Sequence, residues 1–127
     1  MSENQAASDQ IDEMDRRMRH QAEQAQRLQE AVSRIEAKAA NASGTIKVRV
    51  DASGALTGLR LEPAALEAGH EKLAEEILKG CQAARTMLAG KVHAAADEVL
   101  GEGSQTGQVI ANTYAQRFGA PLKSKED

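Results

Sequence analysis

The sequence predicts an α+β fold: a long N-terminal helix, a β-hairpin forming a small antiparallel sheet, and a long C-terminal helix. Three observations carry this. Apolar and small residues recur at alternating steps of three and four over residues 11–39. The period then shortens to two over residues 45–61, and a second helical stripe follows over residues 73–99.

Residues 1–9 are polar and small and are expected to be disordered. The first helix then carries a heptad seam. Ile11, Met18, Ala25, Val32 and Ala39 share one position, and Met14, Gln21, Leu28 and Ile35 share the other. Ser8 or Asp9 suits the N-cap, and Asp12 and Glu13 suit the first turn. A rod of roughly 45 Å with so narrow a seam calls for a partner helix, and a second copy of the chain is the preferred source.

Asn41-Ala42-Ser43-Gly44 is expected to stop this helix. Ile46, Val48 and Val50 then alternate with Lys47 and Arg49, and Asp51-Ala52-Ser53-Gly54 reads as a turn. A four-residue loop would pair Val50 with Ala55, Val48 with Thr57 and Ile46 with Leu59. Ile46, Val48, Val50, Leu59 and Leu61 then share one face, with Lys47, Arg49 and Arg60 on the other.

Glu62-Pro63 ends the second strand, and Pro63 opens a short helical turn. The last long helix shows its stripe at Leu73, Ile77, Cys81, Ala84, Leu88, Val92, Ala95 and Val99. Residues 10–103 thus form one domain. Residues 104–127 are expected to be a polar, mostly disordered tail with at most a weak helix over residues 109–118.

Composition excludes several function classes. Aromatics are 2% of the chain, too few for a base-stacking platform. The lone Cys81 lies on the apolar stripe, which predicts a buried inert thiol and rules out a disulfide framework. His20, His70 and His93 lack partners at ligand spacing, so no metal site is expected. No phosphate loop or nucleophile arrangement is present, and the expectation is a non-enzyme without cofactor or small-molecule substrate. The chain has no apolar run of about 20 residues, so neither a membrane partner nor a membrane span is expected.

Gly44-Thr45-Ile46-Lys47-Val48-Arg49-Val50-Asp51, the turn at Gly54, and Leu59-Arg60-Leu61-Glu62-Pro63 together resemble the YbaB/EbfC family of bacterial nucleoid-associated proteins. Leu66, Leu73, Ile77 and Ala83-Ala84-Arg85 continue the resemblance, which covers about residues 11–100. It implies a tweezer-like α-β-α homodimer in the cytoplasm, at the nucleoid, binding duplex DNA with low sequence specificity. The family also carries a short strand before the Gly. Residues 36–43 are Ala-rich here, so that strand is expected to be brief or absent.

Lys47, Arg49 and Arg60 are the first candidates for phosphate contact, since few acids lie near them in sequence. His20, Arg27 and Arg34 form a basic row on the first helix. Each arginine of that helix has an acid four residues earlier, Glu23 before Arg27 and Glu30 before Arg34 among them, which predicts intrahelical pairs. Arg27 and Arg34 are therefore secondary candidates, and Arg85 and Lys91 weaker ones. Net charge is −3, from 16 Lys and Arg against 19 Asp and Glu. That balance leaves an alternative: an interaction or assembly protein of the same dimer fold, for example secretion-associated, without significant DNA binding.

Overall fold

The computed structural model describes residues 2–119. Helix α1 (Ser2–Ser33) is followed by strands β1 (Ala37–Ala40), β2 (Ile46–Val50) and β3 (Leu56–Leu61). The short helix α2 (Pro63–Leu66), the long helix α3 (His70–Leu100), helix α4 (Gln105–Tyr114) and a π-helical segment (Ala115–Gly119) complete the order. The sheet is antiparallel in the order β1-β2-β3, and α3 packs on one face of it against β1 and β2.

The core lies between that face and α3. Ile46, Val48 and Val50 project inward, where they meet Cys81, Ala84, Leu88 and Val92. Leu88, Val50 and Val92 are fully buried, each worth about 1.5–3 kcal/mol of apolar transfer. Gly80 brings α3 close to the sheet: a Cβ there would lie 3.4 Å from Val48 Cγ1. Gly90, the other glycine inside this helix, has nothing within 4 Å.

The extra strand is present, and it corrects the length of the first helix. α1 ends at Ser33, so Ile35 and Ala39 lie outside the helical seam. Alanine favours helix, but Ala37–Ala40 pairs with β2, Ala37 opposite Val50 and Ala39 opposite Val48. Ala37 is fully buried. Packing here outweighs local propensity. Asn41-Ala42-Ser43-Gly44 is therefore the β1–β2 turn. Its Asn41 side chain accepts from the Ile46 amide and donates to Thr45 Oγ1, both at 3.0 Å. At the other end, α1 begins at Ser2, within the stretch expected to be disordered.

The hairpin register also differs from expectation. Val50 pairs with Leu56, Val48 with Leu59 and Ile46 with Leu61, with an irregularity between Arg49 and Val50. The cause is the turn. Asp51 Oδ1 accepts from the amides of Ser53 (2.9 Å) and Ala55 (3.1 Å), and the Asp51 amide donates to the Ala55 carbonyl. Ala55 thus belongs to the loop, and the pairing moves on by two residues over most of the ladder, which keeps Leu59, Arg60 and Leu61 on their expected faces, while at the irregularity Val50 moves on by one residue to Leu56. Burial does not follow fully: Leu59 is 45% and Leu61 38% exposed, because α3 covers β1 and β2 and leaves the β3 edge open.

The tail is more structured than its polarity suggests. α4 and the π-helical segment pack along α3. Ser104 caps α4 by accepting from the Gly107 amide, and Gly107 lets α4 approach Ala96 on α3. Residues 120–127 of that predicted tail lie outside the described residues. α1 packs on α3 through the half containing Leu28 and Val32. Ile11, Met14 and Met18 are exposed.

Candidate nucleic-acid interface

Strand alternation builds the site. With Ile46, Val48 and Val50 turned to α3, Lys47 and Arg49 necessarily face outward. The ladders extend this pattern across three strands. Arg49 stands opposite Lys38 on β1, and Lys47 stands opposite Arg60 on β3. The outer face thus carries two cross-strand cation pairs. A shallow depression there is lined by Lys38, Ala40, Lys47, Arg49, Gly58 and Arg60.

None of these four cations forms an ion pair among the described residues. Ion pairs seen among the described residues lie on the helices: Arg17 with Glu13, Arg19 with Asp15, Lys72 with Glu75 and Glu76, and His93 with Asp97. Like charges directly across a ladder repel one another. An arrangement of this kind lowers its energy when an anion settles over it.

The place of Lys38 on this face is not legible in the sequence. Its strand was hidden inside an alanine-rich stretch, and only its pairing with Arg49 reveals its direction. The alternation of buried Ala37 with exposed Lys38 is a four-residue signal, too short to stand against helix propensity.

Arg27 and Arg34 are not brought to this face. α1 packs on α3, and Arg27 lies on the surface of α1 between Glu23 and Glu30. The expected pairing of every α1 arginine is realised only for Arg17 and Arg19. Arg16, Arg27 and Arg34 have no carboxylate within 4 Å among the described residues. For Arg34 the reason is plain: the helix ends one residue before it, so the spacing to Glu30 is no longer helical.

Arg85 and Lys91 are engaged elsewhere. Arg85 Nε donates to the Gly54 carbonyl at 3.0 Å, and Lys91 Nζ donates to the Glu36 carbonyl at 2.7 Å. Both fasten α3 to one end of the sheet. Cys81 is a buried free thiol. Among the described residues no three His, Cys, Asp or Glu side chains gather as a metal site, and no helix is long and apolar enough to cross a membrane.

What the outer face offers is positive charge without ion-pair partners among the described residues, on a shallow concave surface. The family model described as the YbaB/EbfC DNA-binding family matches residues 7–103. No curated protein and no solved structure matches the chain.

Proposed function

Because the chain belongs to the YbaB/EbfC DNA-binding family, we propose that it works as a homodimer that holds duplex DNA through phosphate contacts made by the outer face of its sheet. The observation that carries this reading is the double pair of unneutralised cations, Lys38 with Arg49 and Lys47 with Arg60. Phosphates are the matching partner because each one neutralised releases condensed counterions, a gain independent of base sequence.

The open β3 edge supports the dimer. An edge strand with exposed Leu56, Leu59 and Leu61 invites pairing by backbone and by apolar contact. A second copy joined there would place two outer faces side by side and double the four cations. The test is duplex binding across a salt series, with unrelated sequences. Binding that weakens steeply with salt and varies little with sequence supports this function. Absence of binding at low salt overturns it and favours the assembly-protein reading, to which the net charge of −3 already inclines.

A further inference from the structure

Gly58 lies directly across the ladder from Arg49. A Cβ built on Gly58 would sit 3.2 Å from Arg49 Nη2, 3.3 Å from Cζ and 3.3 Å from Nε. Atoms of one planar group at nearly equal distance from a single point mean that the guanidinium lies flat over Gly58. The backbone of Gly58 is outside the left-handed region, so no turn or bulge conformation demands glycine there. Glycine within a strand otherwise weakens it, having no side chain to pack.

We propose that Gly58 is a positioning residue of the DNA interface: its missing side chain is the seat on which the Arg49 guanidinium rests. This rests on the reading of the outer face as the phosphate-contacting surface. A free arginine samples many rotamers, and binding must order it. Seated on Gly58, the planar fork is held in one orientation before DNA arrives. Planarity matters, because the guanidinium grips phosphate through two parallel N–H groups, whereas a lysine ammonium acts as a point charge.

The test combines Gly58→Val with changes at Arg49, measured as duplex affinity across a salt series and as a thermal melt. Valine is a strand former and its side chain occupies the seat, so the melting temperature should stay level or rise. Duplex affinity should nevertheless fall about as far as Arg49→Ala lowers it. In an Arg49→Ala or Arg49→Lys background, Gly58→Val should change affinity little, since neither side chain uses a flat seat. Equal losses from Gly58→Val in all three backgrounds overturn the seat, because they mark a merely structural effect. Wild-type affinity in Gly58→Val, with Arg49→Ala weakened, overturns the seat and leaves the outer-face reading standing. No loss in Arg49→Ala, or no binding by the wild type, overturns both.

Discussion

The Tyr114 hydroxyl donates a hydrogen bond to the carbonyl of Ala52, 3.1 Å away and 62 residues earlier in the chain. Tyr114 lies beyond residue 103, where the family match ends, yet it grips the β2–β3 turn inside the matched region. Arg85 holds the same turn at Gly54, and Lys91 holds Glu36, next to the strand end where Ala37 pairs with Val50. Three donors from the helical layer thus fix one end of the sheet, and with it the strands that carry the outer cations.

The first prediction follows from this clamp. Tyr114→Phe should lower stability by about 0.5–1.5 kcal/mol, the net value of one hydrogen bond, measured by urea unfolding. Arg85→Met should cost a similar amount. Because both residues hold one turn, the double variant should deviate from additivity. Strict additivity would show that the two bonds do not act on a shared element.

The clamp also marks the limit of what could be read from residues alone. The two long helices, the hairpin and the faces of Lys47, Arg49 and Arg60 are local patterns of period 3.6 and 2, and they stand in the sequence. β1 does not: Ala37–Ala40 becomes a strand only because β2 and α3 receive it, and Lys38 was lost with it. The exposure of Leu59 was equally invisible, since alternation gives the face and not the width of the helix covering it. Nothing in Gly58 or Tyr114 taken singly points to the residue each one meets.

Prediction two concerns the core. Val48 is 2% exposed, so Val48→Asp places a carboxylate beneath α3 without a partner. The cost is several kcal/mol, on the order of the whole stability of a small domain, and the protein should unfold. Lys47→Asp, one residue earlier on the solvent face, should keep the fold and gain a favourable cross-strand neighbour in Arg60. Circular dichroism melts of the two variants provide the comparison.

A third expectation concerns pH. The Ser53 hydroxyl above all holds the Asp51 carboxyl below its ordinary value; desolvation opposes it, and the amides of Ala55 and Ser53 add to the lowering. A depressed pKa means that the charged form is favoured by folding. The stability this contributes is present above the unfolded pKa and is lost as pH falls through the lower, folded value. Asp51→Asn should therefore melt below the wild type at neutral pH, and the two melting temperatures should converge in acid. A gap that stays constant with pH would assign the difference to turn geometry rather than to charge.

The proposed dimer gives the fourth. Leu59 is 45% exposed at the open edge of the sheet, so in the single chain Leu59→Lys can carry its ammonium into solvent. In a dimer joined at β3 it sets two added charges at an apolar seam. Light scattering should report a dimer for the wild type and a folded monomer for Leu59→Lys. A dimer that survives this substitution would move the interface elsewhere, with the exposed Ile11, Met14 and Met18 seam of α1 the next surface to alter.

The last prediction separates the two basic surfaces. Phosphate contacts carry the salt dependence of binding, so each one removed should lower the slope of log affinity against log salt by about one unit. Arg49→Ala with Arg60→Ala should flatten the slope by about two units for one chain, and by twice that when both halves of a dimer engage DNA. Lys38→Ala should act in the same sense, since it shares the outer face with Arg49. Arg27→Ala with Arg34→Ala should do less. Arg27 shares its stretch of surface with Glu23 and Glu30, whose charges oppose the approach of a phosphate. No carboxylate lines the depression that holds the sheet cations, and a bound anion relieves their mutual repulsion. The opposite result, a helix variant that no longer binds beside a sheet variant that binds normally, would transfer the contact to α1. It would also mean that the absence of close carboxylate contacts at Arg27 and Arg34 outweighs the acidic surroundings of Arg27.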